Sequence, residues 1–416
     1  MHEKMREKKV ENYDVVVIGG GAAGMTAAIY AGRARLKTIM IEKSLPGGLA
    51  TYTNEIENYP GFPEGNTGLG LMQLFERQAK KFNVKVKLAE VQGVELEGET
   101  KVVKTFRTDY HAKAVIIATG GKPRLTGAKG EEKFLYDKGI SFCATCDAAY
   151  YTGKEVMVIG SGDAAIEEAI FLTKFASKVY ISVIHDVGIM DANKVAQEQA
   201  RQNEKLHFIW NTVVEEFAGS ERLDTVILKN VKTGERIPVK VDGCFLFIGY
   251  LPNTDLFRGI INMNERGYII TNEQMETNIP GVFAAGDVRD KVLRQVATAV
   301  GDGAIAGFMA ERYIAESEYF AREFREVKGP QLVFCYDPTD ARCREMMTVV
   351  EAILQKHPEI KLSKIDVYKG KSMALRLGLT GDPCLVLMHG GRVTEVLALP
   401  GLTPELIEAR IKQLAA

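Results

Sequence analysis

Cysteine is scarce in this chain: there are six in 416 residues, alongside a single tryptophan. So few thiols cannot form a disulfide scaffold at this length, and a reducing cytoplasm is the expected compartment. No apolar run approaches the roughly 20 residues that a membrane-spanning helix needs. Residues 1–12 are charged and have no apolar centre, which points to a solvated tail rather than a signal peptide or anchor. An excess of either charge is missing too, since 53 Lys and Arg stand against 54 Asp and Glu. The net charge of −1 argues against nucleic acid or an anionic membrane as the main partner.

Glycine is abundant, with 40 residues that fall mostly at turns following apolar strands. Hydrophobic content of 46% with 26% charged residues is globular, and the length calls for two or three domains. The cysteines that carry chemistry are Cys143 and Cys146, in Cys143-Ala144-Thr145-Cys146-Asp147. Two thiols at this spacing can close a small disulfide ring and reopen it, a reversible two-electron store. Asp147 places beside them a carboxyl able to give or take the proton that thiol chemistry requires. The same spacing also serves half of a zinc site or two packed core cysteines. A closed zinc site needs four N or S ligands, however, and no second CxxC or paired histidines are present, so no metal is expected.

The surroundings favour redox chemistry. The β-branched run at 13–18 leads into Gly19-Gly20-Gly21-Ala22-Ala23-Gly24 and a helical stretch, which is G-x-G-x-x-G in its strand-to-helix setting. Glycine there permits a tight turn and lets a pyrophosphate approach the helix N-terminus. A second strand at 37–41 ends at Glu42, where an acid ordinarily binds a ribose hydroxyl. Another buried strand is expected over 113–118. The run at 156–159 feeds Gly160-Ser161-Gly162-Asp163-Ala164-Ala165 and a helix over 166–175, a second fingerprint with alanine for the third glycine. Two fingerprints suggest two dinucleotides, one held and one exchanging. A single strand is expected over 239–248, and Pro280 to Asp287 forms a short strand with an acid at its C-terminal end, where open α/β sheets bind ligands. Helix follows from about 292 to 327, and Gly329-Pro330 marks a boundary. Beyond it the pattern is strand 331–335, helix 343–356, strand 362–367, helix 372–377, a hairpin of 384–388 and 392–399 turned by Gly390-Gly391, and a helix from Thr403. That order fits a thioredoxin-like fold, with a cis bond expected at Asp382-Pro383.

The dithiol between two fingerprints resembles low-molecular-weight thioredoxin reductase of the pyridine nucleotide-disulfide oxidoreductase family. Ala284-Ala285-Gly286-Asp287-Val288, Arg294-Gln295-Val296-Ala297, Glu57-Asn58-Tyr59-Pro60-Gly61-Phe62 and Gly249-Tyr250-Leu251-Pro252-Asn253-Thr254 support the likeness, over residues 12–322. The resemblance implies an α/β protein with two Rossmann-like, three-layer ββα nucleotide domains and a C-terminal thioredoxin-like domain. A discontinuous FAD domain would take 12–121 and 249–322, and an inserted NAD(P)-binding-like domain with the dithiol 122–248. A linker would occupy 323–330 and the thioredoxin-like domain 331–416. It further implies that Gly19, Gly21, Ala22, Ala23, Gly24, Glu42, Lys43, Gly48 and Asn58 hold FAD. Gly286, Asp287, Arg294, Gln295 and Ala297 would flank its ribityl chain and ring, while Gly160, Gly162, Asp163 and Ala164 would serve the pyridine nucleotide. Cys146 would face the flavin, Cys143 would attack the partner disulfide, and Asp147 would donate the proton. The acceptor is expected to be thioredoxin or a similar small disulfide protein, the inserted domain to rotate between two arrangements, and the protein to be a homodimer.

Two departures stand out. NADPH-using members carry His-Arg-Arg after the second strand of the inserted domain, with a further arginine nearby, to neutralise the 2′-phosphate. The corresponding run here is His185-Asp186-Val187-Gly188-Ile189-Met190-Asp191, without arginine. Asp186 is therefore expected to accept the 2′-hydroxyl of NADH rather than serve NADPH, with ferredoxin as the rival donor. In the C-terminal domain Asp340-Ala341-Arg342-Cys343 stands where Cys-Gly-Pro-Cys is usual, so the attacking thiol is replaced. A Cys343–Cys384 couple is one expectation for this domain, and docking of partners or support of the oligomer is another. Cys244 and Cys335 are expected to be packed core residues. A redox sensor or an oxidase with little reductase turnover is the competing class of function.

Overall fold

The computed structural model describes residues 8–52, 56, 58–64 and 66–415. The chain divides into two compact units, Met1–Arg312 and Tyr313–Ala416. In the first unit, strand Lys9–Ile18 lies between Thr38–Glu42 and Thr108–Ile117, all parallel, with Lys85–Leu88 beyond. Over 15–18, 39–41 and 114–117 the three central strands are buried on both faces and read as continuous apolar runs rather than as alternation. Thr108–Ile117 has a divided role. Its first half pairs antiparallel with Lys101–Thr105 and its last three residues pair parallel with Val282–Ala284, so the chain returns to this sheet after a long excursion. Residues 9–12, expected in a solvated tail, instead pair with 108–111.

The excursion builds a second parallel sheet, in the order Leu206–Trp210, Lys178–Val183, Glu155–Ile159, Gly243–Leu246, Ile140–Ser141. An antiparallel sheet of Thr212–Ala218, Thr225–Asn230 and Arg236–Lys240 accompanies it. The single strand expected over 239–248 is thus two strands in two sheets, broken at Val241-Asp242, where Asp242 accepts the Glu155 amide at 3.0 Å. The two crossings between the nucleotide-type sheets, Gly121–Pro123 and Tyr250–Pro252, pair antiparallel.

Helix Ala22–Arg33 follows the first glycine turn, and helix Val296–Phe320 packs on it closely. A Cβ at Gly303 would stand 2.2 Å from the Ala23 carbonyl oxygen and one at Gly307 2.6 Å from that of Ala27, so only glycine lets these backbones meet.

The second unit is a four-stranded sheet ordered Lys361–Asp366, Pro330–Tyr336, Cys384–His389, Arg392–Ala398. Helices Ala341–Leu354, Lys371–Arg376 and Pro404–Ala415 join it. Period-two alternation divides its core. Leu332, Phe334, Leu385 and Leu387 face Val350 and Ile407, whereas Val333, Cys335, Val386 and Met388 face Phe324 and Ala374. Phe324 belongs to that second core, so the linker expected over 323–330 begins as packed structure, and the helix that precedes it already extends beyond residue 312. Gly390 (φ 57°) and Gly391 (φ 75°) make the hairpin turn that demands two positive-φ residues. No peptide bond is cis among the described residues, so Asp382–Pro383 is trans, the form an X–Pro bond favours unless packing opposes it.

Candidate functional site

The first strand ends at Gly19 (φ +106°), where a Cβ would lie 2.3 Å from the Ala118 carbonyl oxygen, and a Cβ at Gly24 would lie 2.0 Å from that of Gly19. Both positions require glycine for strand–turn–helix packing. Gly21 differs: nothing lies within 4 Å of its Cβ position, and the turn there is open. The amides that open helix Ala22–Arg33 lie beside this space, with Ala22 and Ala23 buried, as an anion-binding turn requires. Glu42 is tied to the same turn, its Oε2 accepting the Gly20 amide at 2.7 Å and its Oε1 that of Ser44 at 2.9 Å. The following loop folds back, the Gly47 amide donating to the Gly20 carbonyl at 2.7 Å and Gly48 packing against Gly21, while Lys43 stays exposed.

Gly286 brings a second element to this turn, since a Cβ on it would fall 2.8 Å from that of Ala23. Its amide donates to Asp302 Oδ2 at 3.0 Å, and Asp302 is paired with Arg289 at 2.9 Å and Lys291 at 2.7 Å. Next to it, Asp287 Oδ1 and Arg294 Nε are buried without a hydrogen-bond partner among the described residues. Burial pushes the Asp287 carboxyl up, against the pull of Lys291 and Arg294. The Arg294 guanidinium lies 4.2 Å over the Tyr268 ring. Ala297 is exposed in the first turn of helix Val296–Phe320. Buried polar atoms are rarely left unpaired, and these two point to a polar ligand. The set fits FAD: an open glycine turn with helix amides for the pyrophosphate, a carboxylate with lone pairs to spare at Glu42, and the unpaired Asp287 and Arg294 for the polyol and ring.

Cys143 and Cys146 are joined as a disulfide, with Cα atoms 5.3 Å apart. They flank the start of the short helix Ala144–Asp147. Ser141 organises the pair. Its hydroxyl donates to Asp147 Oδ2 at 2.6 Å and accepts the Cys143 amide at 3.1 Å. Burial pushes the Asp147 carboxyl up, and the Ser141 hydrogen bond partly offsets that. Thr145 Oγ1 lies 3.4 Å from Cys143 Sγ and accepts from Gln295 Nε2 at 3.3 Å, while Gln295 Oε1 accepts from Asn58 Nδ2 at 3.2 Å. A line of polar contacts therefore ties the disulfide helix to the residues entering helix Val296–Phe320. Glu57, part of the motif around Asn58, lies outside the described residues.

At the second fingerprint a Cβ on Gly160 (φ +133°) would meet the Phe247 carbonyl oxygen at 2.5 Å, while Gly162 faces open space. Asp163 Oδ1 is engaged by the Asn193 amide at 2.6 Å, and Ala164 is exposed. Asp186 forms an ion pair with Lys232, a residue of the turn between Thr225–Asn230 and Arg236–Lys240. His185 Nε2 lies 2.8 Å from Asp191 Oδ2, which also accepts from Ser161 Oγ at 2.9 Å; these two bonds hold Asp191 below its usual range. Arg201 donates to the Gly188 carbonyl at 2.8 Å. Both carboxylates of this loop are thus paired, Asp191 by His185 and Ser161 and Asp186 by the distant Lys232.

In the second unit Asp340 caps helix Ala341–Leu354, its side chain accepting the Arg342 amide at 2.9 Å. Cys343 is buried and accepts the Asp337 amide at 3.3 Å. The expected Cys343–Cys384 couple is not formed: Cys384 stands opposite Cys335 across the central strands, and Cys343 belongs to the core on the other side of the sheet. Strand alternation is the reason. Among the described residues no group of three or more His, Cys, Asp or Glu could hold a metal ion, and no helix is long and apolar enough to cross a membrane. Ser141, Thr145, Asp302 and Lys232 were not singled out in the sequence. Only Ser141 and Thr145 lie near a motif, and single hydroxyl residues carry little signal.

The sequence model described as pyridine nucleotide-disulphide oxidoreductase matches residues 13–303, and that described as thioredoxin matches 312–413. The chain is 46% identical over 308 residues to thioredoxin reductase of Peptoclostridium acidaminophilum, covering 73% of this chain and 97% of that protein. It is 44% identical over 313 residues to thioredoxin reductase of Bacillus subtilis (strain 168), covering 75% and 97%. The crystal structure of thioredoxin reductase from Streptococcus pyogenes MGAS5005 superposes with a TM-score of 0.68 at 43% identity, covering 73% of this chain and 99% of that one. The α/β architecture, the paired cysteines and these likenesses agree: the chain belongs to the pyridine nucleotide-disulphide oxidoreductase family, among its thioredoxin-reductase-type flavin enzymes, with a thioredoxin-family domain towards its C-terminus.

Proposed function

We propose that this protein passes electrons from NADH, through FAD and the Cys143/Cys146 dithiol, to the disulfide of thioredoxin or a related small protein. The observation that carries the reading is the disulfide helix tied through Thr145 to Gln295, beside the glycine turn and the unpaired Asp287. FAD would occupy the discontinuous domain at 12–121 and 249–322, with the dithiol and pyridine nucleotide on the inserted domain at 122–248. When bound there, FAD supplies two-electron carrier chemistry between the donor and the disulfide.

The chain's own residues account for the remaining steps. Once the dithiol is reduced, the Cys143 thiolate attacks one sulfur of the partner disulfide, whose other sulfur leaves as a thiolate. The Cys146 thiolate then displaces the partner's remaining sulfur and restores the Cys143–Cys146 bond. Asp147, its carboxyl raised by burial and steadied by Ser141, holds a proton for the departing thiolate. Thr145 supplies a hydroxyl against Cys143 Sγ, able to donate to the thiolate before attack.

NADH is favoured over NADPH because the run 185–191 carries no arginine, and of the cations close to it Lys232 is engaged by Asp186 and Arg201 by a backbone carbonyl. A 2′-phosphate needs charge-assisted donors that are available to it. The four remaining cysteines are unpaired thiols, in keeping with a reducing compartment such as the cytoplasm. A homodimer is the assembly that the family resemblance implies.

An anaerobic titration following flavin absorbance with NADH, NADPH and reduced ferredoxin tests the donor. Bleaching by NADH at the lowest concentration is expected; preference for NADPH or for ferredoxin alone would overturn that choice. Cys143→Ser and Cys146→Ser should each abolish disulfide reduction, by more than about a thousandfold, with flavin retained. Turnover in either variant would defeat the dithiol assignment.

A further inference from the structure

The C-terminal unit lacks the paired thiols of an ordinary thioredoxin motif, because Asp340 stands in the first position as a helix cap. It holds another pair that no motif announces. Cys335 and Cys384 are register partners on the two central, antiparallel strands Pro330–Tyr336 and Cys384–His389. Residues directly opposite in such a ladder have Cα atoms about 4.5–5.5 Å apart, inside the range a disulfide spans. Both side chains project to the same face, into the core formed with Val333, Val386, Ala374 and Phe324. We propose that Cys335 and Cys384 form a second reversible dithiol/disulfide centre, which takes hydrogen peroxide as its oxidant.

Exposure and the influence of each thiol on the other assign the roles. Cys384 is 6% exposed, begins its strand directly after Pro383 and follows an exposed Asp382, whereas Cys335 is fully enclosed at 0%. Oxidant therefore reaches Cys384 first. The neighbouring Cys335 draws the Cys384 thiol down, and Cys384 together with burial pushes Cys335 up, which favours Cys384 as the attacking sulfur and Cys335 as the proton donor. In the first step the Cys384 thiolate attacks one peroxide oxygen. The O–O bond breaks, the other oxygen leaves as water after taking a proton, and Cys384 becomes a sulfenic acid. In the second, the Cys335 sulfur attacks that of Cys384, the S–O bond breaks, and a second water leaves. One peroxide is reduced to two waters, and the two thiols lose two electrons to form one S–S bond. A dithiol reverses the change by exchange at Cys384. Cys343 takes no part, because it lies in the core on the opposite face of the sheet.

The full-length protein is reduced, freed of reductant and exposed to hydrogen peroxide. It is then denatured in an alkylating reagent and mapped by mass spectrometry. The expected result is a cross-linked pair of peptides containing Cys335 and Cys384, lost on treatment with a dithiol, while Cys244 and Cys343 are recovered alkylated. A Cys335→Ser variant should leave Cys384 as a sulfenic acid that a dimedone probe labels at that residue. Recovery of both Cys335 and Cys384 as alkylated thiols while Cys143–Cys146 is oxidised would overturn the proposal. So would a Cys343–Cys384 cross-link, or oxidation of Cys384 to sulfinic acid with Cys335 intact. None of these readouts depends on flavin, nucleotide or turnover.

Discussion

At the first glycine fingerprint the acid that ends the second strand turns inward, and Glu42 accepts the Gly20 amide. At the second, Asp186 follows the corresponding strand and turns outward to Lys232. The scaffolds are nearly the same: each has one glycine that a Cβ would drive into a backbone carbonyl, at Gly19 and Gly160, and one facing open space, at Gly21 and Gly162. What differs is how tightly the surroundings are fastened. The first cradle is closed by Gly47 and Gly48, backed by the Asp302 ion cluster and completed by the unpaired Asp287 and Arg294. The second is bordered by exposed pairs that solvent weakens. A cradle built into the sheet suits a cofactor that stays, and one rimmed by exposed charges suits a nucleotide that comes and goes.

The sharpest way to break this contrast is to overfill each turn. Gly24→Val would press side-chain atoms on the Gly19 carbonyl, which lies 2.0 Å from the Cβ position, and should cost several kcal/mol and leave protein without flavin by absorbance. Gly160→Val should instead keep its flavin and lose reduction by NADH. Equal flavin loss in both would erase the distinction. Next in size, Asp287→Ala should lower flavin affinity about tenfold or more by removing a buried acceptor, read by dialysis and fluorescence.

Asp147→Asn tests the dithiol between the two cradles. The folded pKa of Asp147 lies above the ordinary carboxylate value, so its acid form persists to higher pH, and disulfide reduction that uses this proton declines as pH rises through the raised pKa. The Asn variant should be slower and lack that decline in its pH–rate profile; an unchanged profile would remove Asp147 from proton transfer. The smallest effect is expected at the outer rim. Asp186→Ala frees Lys232 and should raise the NADPH-to-NADH ratio of kcat/KM by about three- to tenfold, as rim charges are worth up to about 1 kcal/mol.

Much of this was legible in the residues. The two glycine turns, the strands at 13–18 and 156–159 and nearly every element of the second unit follow from apolar periodicity closed by Gly or Pro. What escaped was long-range. Asp186 reads as unopposed until a hairpin some forty-five residues later delivers Lys232. The stretch 239–248 reads as one strand because nothing local shows that Asp242 turns back to Glu155. That Cys343 and Cys384 fall on opposite sides of the sheet also escaped, because register is settled by neighbouring strands. The clasp at Thr145, Gln295 and Asn58 joins three distant segments, and nothing local shows that they meet.

That clasp is made only of hydroxyl and amide groups on exposed side chains. Water can take the place of every partner in it, so letting go exposes no grease and strands no charge. The disulfide-bearing helix is moored by something solvent can untie and retie, which the proposed passage of electrons from flavin to a partner disulfide would call on.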